Sequence, residues 1–180
     1  MIIAVTGMPG SGKSIVSRII SEATGFPMVS MGDVVREEAR RRGLEITSEN
    51  VEMLARELRR ERGGAAVAQM IMERSKPPLV VDGLRSLEEV EYFSRFAPVC
   101  VVAVHSPPRL RFKRVLERRR AGETLTEEQF RARDLSNLQL GIGSVIALAD
   151  HVIINVAGPQ ELEAQARRVA EEILRGSCHR

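Results

Sequence analysis

The chain has 180 residues, of which 43% are hydrophobic, which suffices for one domain with a substantial core. Only 3% of the residues are aromatic and none is Trp, so we expect an aliphatic core of the kind found in α/β folds with parallel strands. The formal net charge of +3 is modest, no basic leader precedes the first apolar run, and no stretch approaches the roughly 18 apolar residues of a membrane span. Secretion and membrane insertion are therefore not expected, and the cytoplasm is the predicted location.

Short apolar segments rich in β-branched residues are predicted to be buried strands, with helical patterns between them. Strands that alternate with helices indicate a parallel sheet joined by right-handed crossovers. The predicted strands are Ile2–Thr6, Pro27–Val29, Leu79–Val81, Val99–Val104 and His151–Val156, and the predicted helices are Lys13–Ala23, Asp33–Arg42, Ser48–Arg62, Ala65–Arg74, Leu87–Phe96, Pro108–Arg120, Glu127–Leu138 and Gln160–Leu174.

The segment after the first strand matches a nucleotide-binding motif. It fits G-x-x-x-x-G-K-[ST] and lies between a predicted strand and a predicted helix. Glycines in such a loop let backbone N–H groups point at phosphate oxygens, and the following helix adds the positive end of its dipole. We expect Lys13 to reach the β- and γ-phosphates of a nucleoside triphosphate. The predicted phosphate-binding residues are Gly7, Met8, Pro9, Gly10, Ser11, Gly12, Lys13 and Ser14.

Asp82 follows the predicted strand Leu79–Val81, at its carboxyl end. A carboxylate in this position suits the binding of Mg²⁺ and its water ligands beside a phosphate loop, although an Asp there could also cap the next helix. Because the phosphate loop is already present, we predict Ser14 and Asp82 as the metal-binding residues. The expected cofactors are ATP and Mg²⁺.

The two cysteines lie in different contexts, Cys100 in an apolar run and Cys178 near the C-terminus. We therefore predict neither a disulfide nor a metal site from them. Cysteines without partners fit the reducing cytoplasm that the absence of a leader already suggests.

Four segments resemble the adenylate kinase type of nucleoside monophosphate kinase: the phosphate loop, SMGDVVR at 30–36, DGLR at 82–85 and the Arg-rich stretch at 109–120. Over nearly the whole chain, the likeness is to an archaeal group related to adenylate kinase and loosely to dephospho-coenzyme A kinase. It implies a three-layer α/β/α P-loop NTPase fold with a five-stranded parallel sheet. It also implies that residues 1–180 form one kinase domain, with an acceptor-binding insertion at about 30–62 and a short lid at about 109–125.

The resemblance implies an acceptor site. The family's second segment usually reads S-T-G-D-x-x-R, in which the Arg grips the acceptor phosphate, and here Met31 replaces the Thr. The family's D-G-[apolar]-P-R is one residue shorter in this chain, which lacks the Pro. The implied substrate-binding residues are Gly32, Asp33, Arg36, Gly83 and Arg85.

The resemblance also implies a set of catalytic residues. Arg114 and Arg118 reproduce the R-x-x-x-R of the family's lid, a spacing that puts both on one helical face. The segment 131–134 is similar to the family's R-x-D-D element, which follows the lid. We expect Arg133, before Arg131, to be the functional arginine of this element, although both could be solvated surface charges. The lid carries no Cys cluster, so no zinc is expected there. The implied catalytic residues are Lys13, Asp33, Arg114, Arg118 and Arg133.

Three functions remain open from the sequence. The favoured one is ATP-dependent phosphorylation of a nucleoside monophosphate held by Arg36 and Arg85. The second is a hydroxyl-directed kinase of the dephospho-coenzyme A type, in which Asp33 accepts the hydroxyl proton. The third is a nucleotide-binding regulator or slow ATPase that contacts RNA or protein through runs such as Arg40–Arg42, although solvated surface charge explains these runs more simply. A small-molecule acceptor is therefore the expected partner, and the oligomeric state is open.

Overall fold

The computed structural model describes residues 1–117 and 125–178. Its five parallel strands form one sheet in the order β2-β3-β1-β4-β5. The strands are β1 (Ile2–Thr6), β2 (Met28–Ser30), β3 (Leu79–Leu84), β4 (Val99–His105) and β5 (His151–Ile154). The helices are α1 (Lys13–Thr24), α2 (Met31–Arg41), α3 (Ser48–Arg62), α4 (Ala66–Met72), α5 (Leu87–Ser94), α6 (Pro108–Glu117), α7 (Glu127–Gln139), α8 (Ile142–Ala147) and α9 (Pro159–Leu174).

Helices cover both faces of the sheet, as the three-layer prediction requires. Because side chains alternate along a strand, Ile2 and Ala4 of β1 enter a core shared with α2, α3, α4 and α5. Ile3 and Val5 enter the opposite core, which α1 and α9 complete. The five-stranded parallel sheet and its flanking helices confirm the predicted fold class. Within the described residues, no helix combines the length and the apolar character needed to cross a membrane.

The carboxyl ends of the central strands meet at one end of the sheet and so bring separate sequence motifs together. Asp82 of β3 pairs in register with Val5 of β1 on one side and with Ser30 of β2 on the other. The phosphate loop follows β1 and the segment 30–36 follows β2. Parallel open sheets bind ligands in the crevice outside this end.

Some local features differ from the prediction. Strand β3 continues through Asp82 to Leu84, and the register against β1 shifts between Val5 and Thr6. Gly83 is the additional residue at this irregularity, with φ +97°, a left-handed value that glycine adopts without a steric penalty. Helix α8 was not predicted, because six residues including a glycine are too short for a helical period to stand out.

The prediction for the cysteines is wrong, since Cys100 and Cys178 form a disulfide with their Cα atoms 5.5 Å apart. Helix α9 packs along α1 and beside β5, so the chain after it reaches the first half of β4. There Cys100 is fully buried in the core shared with α9. The pairing spans 78 positions in sequence and depends on the path of α9, which local context does not show.

A buried carboxylate stabilises α2. The side chain of Glu38 is 3% exposed and accepts hydrogen bonds from Arg41, at 2.7 Å from both Nε and Nη2, and from Arg42 Nε at 2.8 Å. The hydrogen bond from Arg41, with that from Arg42, lowers the pKa of Glu38 from 4.5 to about 2 despite burial, which alone would raise it. The folded-state pKa lies below the unfolded one. The stabilisation is therefore complete above about pH 4.5 and is lost as the pH falls through about 2.

We expect Glu38→Gln to lower the free energy of unfolding at pH 7 by about 1–3 kcal/mol, because it removes the charge from hydrogen-bonded ion pairs. Urea unfolding between pH 2 and 7 checks this, and the difference from the wild-type protein should shrink as the pH approaches 2. The neighbouring Glu37→Gln is the control, since Glu37 is 64% exposed in its ion pair with Arg74 and should change stability by less than about 1 kcal/mol. A Glu38→Gln deficit of the same size at both ends of the pH range would contradict this account.

Candidate active site

The phosphate loop is shaped by glycines at positions where no side chain fits. A Cβ on Gly10 would lie 2.6 Å from the carbonyl oxygen of Arg111, and one on Gly12 would lie 2.5 Å from Asn155 Nδ2. Both glycines also have left-handed backbone angles, φ +80° and +98°. Gly12 is the N-cap of α1 and makes no side-chain capping bond, so the helix start presents backbone N–H groups to the loop. This cradle fits a chain of phosphates.

The two predicted metal-binding residues are in direct contact. Ser14 Oγ donates a hydrogen bond to Asp82 Oδ2 at 2.8 Å, and Ser17 Oγ donates to Asp82 Oδ1 at 3.0 Å. Asp82 is 6% exposed, so its carboxylate is oriented inside the fold rather than on the surface. A hydroxyl and a carboxylate oxygen at the foot of the phosphate loop match the hard oxygen ligands that Mg²⁺ prefers.

Arg111 joins the loop to the helices that follow β4. Its side chain is 5% exposed, and its Nη1 donates to the carbonyl oxygen of Pro9 at 3.1 Å. Two parallel hydrogen bonds, of 2.9 and 2.6 Å, connect it to Asp134 on α7. The guanidinium also stacks 5.2 Å from the ring centre of Phe130. Arg111 and Asp134 thus fix the far side of the phosphate loop.

We expect Arg111→Lys to weaken binding of a fluorescent ATP analogue by about tenfold, because lysine keeps the charge but cannot form the fork that holds both Pro9 and Asp134. Fluorescence titration measures this, and circular dichroism verifies that the variant is folded. Arg109→Lys, an exposed position on the same helix, should bind the analogue as the wild type does. Equal affinity of the two variants would mean that Arg111 does not position the loop.

A small cavity lies between α2 and α3, and two arginines line it. Arg59 Nη2 pairs with Glu89 at 2.9 Å, while its Nε is buried without a hydrogen-bond partner in the described residues. Arg85 is half-buried, and burial followed by the nearby charge of Arg59 lowers the pKa of its guanidinium. Glu89 also accepts from the backbone N–H of Arg85 at 2.7 Å and so fixes the turn that carries it. The cavity is lined by Met31, Gly32, Val35, Val51, Glu52, Ala55, Arg59, Val67 and Arg85.

The predicted residue Arg133 reaches the same region from α7. Its Nε lies 3.1 Å from Oε1 of Glu52, which lines the cavity on α3. Arg56, one turn further along α3, hydrogen-bonds to Ser136 of α7. These contacts connect the predicted acceptor-binding helix to α7, the helix that follows the predicted lid.

Two of the other predicted acceptor residues form an exposed pair at the start of α2. Arg36 donates to Asp33 Oδ1 from Nη2 at 2.6 Å and from Nε at 3.0 Å, and the two side chains are 39% and 70% exposed. The guanidinium of Arg36 lies over Gly32, where a Cβ would come within 3.3 Å of Nη1. A Cβ on Gly83 would have its nearest neighbour, Cβ of Met31, at 3.9 Å. Gly83 therefore affects the site through the backbone that leads to Arg85.

Arg114 and the cavity lined by Arg59 and Arg85 lie on opposite sides of the phosphate loop. Its guanidinium donates to Ser106 Oγ at 2.7 Å and to Asn155 Oδ1 at 3.1 Å. Asn155 in turn donates to the carbonyl oxygen of Ser11 in the loop at 2.8 Å. Arg118 lies outside the described residues. A cavity of about 250 Å³ beside this network is lined by Gly12, Ile15, Arg114, Glu117, Asn155, Ala157, Pro159 and Leu162.

The chain is similar to known proteins over most of its length. Residues 6–131 match the model of an AAA domain family. A UPF0200 protein from Aeropyrum pernix is 50% identical over 179 residues, which cover 98% of this chain and 95% of the relative. The chain belongs to the UPF0200 family. Another UPF0200 protein, from Hyperthermus butylicus, is 48% identical over 177 residues, covering 96% of this chain and 95% of that protein.

Solved structures show the fold of this UPF0200 chain to be that of a P-loop kinase. A shikimate kinase from Bacteroides thetaiotaomicron superposes with a TM-score of 0.64 at 15% identity, covering 97% of this chain and 98% of that chain. A gluconokinase from Sinorhizobium meliloti gives a TM-score of 0.53 at 21% identity, with coverages of 96% and 94%. The resemblance to an archaeal group with a P-loop kinase fold is thereby confirmed.

Sequence reasoning missed three residues of this candidate site. Ser17 stands one turn after the motif, where serine is unremarkable, and its role becomes visible only through Asp82. Arg59 belongs to an Arg-rich helix in which all arginines look alike in sequence. Arg111 lies within the Arg-rich stretch that was selected for Arg114. The nearby acid Asp134 could have indicated it, since a buried Arg requires a carboxylate partner.

Proposed function

We propose that this UPF0200 protein transfers the γ-phosphate of ATP to an AMP-like nucleoside monophosphate. The observation that carries the proposal is Arg85. The Arg85 side chain is half-buried beside the charge of Arg59, and it makes no salt bridge with any residue among 1–117 and 125–178, although the carboxylates of Glu89 and Glu52 lie near enough to act on its charge. A half-buried cation that is not directly paired favours an anionic ligand, and an arginine fork matches the oxygens of a phosphate.

The donor side of the proposed reaction rests on the phosphate loop. The backbone of residues 7–12 and Lys13 would hold the triphosphate, and the fixed contact of Arg111 with Pro9 keeps the loop in shape for it. Ser14 and Asp82 would hold Mg²⁺, which when bound supplies charge neutralisation on the phosphate oxygens. The cavity beside Arg114 and Asn155 adjoins the loop and offers a place for the donor base.

On the acceptor side, the proposed clamp consists of Arg85 and Arg36, with Gly32, Asp33 and Gly83 shaping the turns that carry them. Arg133 is now paired with Glu52 at the mouth of the cavity. An incoming phosphate would compete with the Glu52 carboxylate for this arginine, since both are anions. Arg114, Arg118 and Arg133 would then stabilise charge on the transferring phosphoryl group.

The proposed domain organisation is the one that the family resemblance implies. Residues 30–62 would form the acceptor-binding part and residues 109–125 the lid of a single domain spanning 1–180. Closure of both parts over the phosphate loop would exclude water, so that phosphate passes to the acceptor instead of being hydrolysed. A phosphate acceptor is already an anion, and the proposed reaction therefore needs no general base.

A hydroxyl-directed kinase is the second candidate, and Asp33 is the observation in its favour. This carboxylate directly follows β2 at the active end of the sheet and is 70% exposed. Its Oδ1, however, already accepts two hydrogen bonds from Arg36, at 2.6 and 3.0 Å, so this oxygen is not free to receive a hydroxyl. A charge-driven contact with RNA has less support, because Arg41 and Arg42 of the basic run pair with Glu38, and Arg42 also pairs with Glu57.

The two enzyme candidates separate in one experiment. Purified protein is incubated with ATP, Mg²⁺ and one acceptor at a time, either a common nucleoside monophosphate or a hydroxyl compound such as dephospho-coenzyme A, and ADP formation that depends on the acceptor is measured. We expect one or a few monophosphates to stimulate ADP formation. The Asp33→Asn variant should retain part of this activity, because the proposed reaction needs no general base. Stimulation by hydroxyl compounds alone, abolished in Asp33→Asn, would support the second candidate. Stimulation by no monophosphate would refute the first.

A further inference from the structure

We propose that the reduced chain binds a zinc ion through Cys100, His151 and Cys178, at the end of the sheet opposite the phosphate loop. Cys100 is the second residue of β4 and His151 is the first residue of β5, so both lie at the amino ends of their strands. Cys178 follows α9 and reaches the same place. One potential ligand atom from each of the three residues lies within 4.8 Å of the other two. This site is separate from the proposed Mg²⁺ site at Ser14.

The imidazole of His151 is oriented as a zinc ligand would be. Its Nε2 lies 3.7 Å from Cys178 Sγ and 3.2 Å from Ser177 Oγ, a contact that a metal ion would replace, while its Nδ1 faces Glu172 Oε2 at 3.5 Å. The other oxygen of Glu172 accepts from Arg168 Nε at 3.2 Å, which holds the carboxylate in place. A histidine between a metal and a carboxylate is the common second-sphere arrangement of zinc sites.

The chemistry of the three ligands selects the metal. Two thiolates and one imidazole favour Zn²⁺ over Mg²⁺ or Ca²⁺, which prefer oxygen ligands. Cys100 is fully buried, the His151 side chain is 11% exposed and Cys178 is half-buried, so the site is buried on the side of the sheet and open to water on the side of Cys178. A water molecule would complete the four ligands.

The disulfide and the zinc site exclude each other, because each uses both sulfurs. Reduction by a dithiol transfers two electrons and two protons to the Cys100–Cys178 bond, which yields two thiols and oxidises the dithiol to its own disulfide. Zinc binding then displaces the two thiol protons. In either state, the segment after α9 stays attached to β4.

The test compares the oxidised and the reduced full-length protein. The chain is reduced with a phosphine under anaerobic conditions, freed of metal with a chelator, and titrated with Co²⁺ in excess Mg²⁺, which occupies oxygen-ligand sites. Thiolate-to-cobalt absorption reports only sulfur ligation. We expect it to saturate at one Co²⁺ per reduced chain, to be displaced by Zn²⁺, and to be absent from the oxidised chain. A reduced chain without this absorption would overturn the proposal.

Variants assign the ligands. Cys178→Ser, outside the core of the sheet, should abolish the absorption, and His151→Gln should weaken Zn²⁺ binding more than Glu172→Gln, for which we expect a loss of about 10–100-fold. His105→Gln is the control, since His105 is an exposed histidine at the other end of β4. Equal affinity of His151→Gln and His105→Gln would show that His151 is not a ligand and would contradict the proposal.

Discussion

Replacing Lys13 with Ala is expected to lower kcat/KM for phosphate transfer by about 10²–10³-fold, the usual cost of losing one preorganised group that stabilises transition-state charge. Lys13 is the first residue of α1, directly after the glycines of the phosphate loop. Its ammonium would neutralise charge on the β- and γ-phosphates as the bond to the leaving group breaks. The loss should therefore appear mainly in kcat. Steady-state kinetics with the best acceptor from the monophosphate screen measure it.

The chain provides a matched control for this substitution. It contains three lysines, and Lys76 is an exposed one in the segment before β3, at the opposite end of the sheet from the loop. Lys76→Ala should leave kcat and both KM values unchanged. Thermal unfolding of Lys13→Ala should resemble that of the wild type, which separates catalysis from folding. A Lys13→Ala protein with wild-type kcat would contradict a catalytic role for the phosphate loop.

Replacing Arg85 with Ala is expected to raise KM for the acceptor by about 10–100-fold while KM for ATP stays within about twofold, because a charged hydrogen bond contributes about 1.5–3 kcal/mol. The substitution removes the half-buried guanidinium that the proposed acceptor phosphate would pair with, and it leaves the phosphate loop intact. Arg85→Lys should recover only part of the affinity, since lysine keeps the charge without the planar fork. Initial rates with each substrate varied separately measure both KM values.

The result for Arg85 needs a control for the general loss of positive charge. Arg95 is an exposed arginine at the end of α5, where it stacks on Tyr92. Arg95→Ala should change neither KM. If Arg85→Ala raised KM for ATP as much as KM for the acceptor, the residue would belong to the donor side or act through the fold, and the proposed acceptor clamp would be wrong.

Local chemistry made much of the fold, and the position of the proposed donor side within it, predictable. The phosphate loop is contiguous, and its glycines, Lys13 and Ser14 each have a role that depends only on spacing within the motif. The buried strands are β-branched runs, which their parallel neighbours and flanking helices require. Asp82 was predictable because the carboxyl ends of parallel strands meet at one end of the sheet.

Features that depend on tertiary contacts were not predictable. Arg59 and Arg111 become site residues through Glu89 and Asp134, partners 30 and 23 positions away. The Cys100–Cys178 disulfide depends on where α9 ends in space. In each case the residue type is present in the sequence, but the contact is created by the packing of distant elements.

The most direct measurement of the central claim follows the γ-phosphate itself. ATP carrying radioactive phosphorus at the γ-position is incubated with the protein, Mg²⁺ and a nucleoside monophosphate, and the products are separated by chromatography. We predict that the label appears in the terminal phosphate of a nucleoside diphosphate, and that Arg85→Ala slows its appearance at low acceptor concentration. Label found only in inorganic phosphate, with every monophosphate tried, would contradict the proposal that this protein is a nucleoside monophosphate kinase.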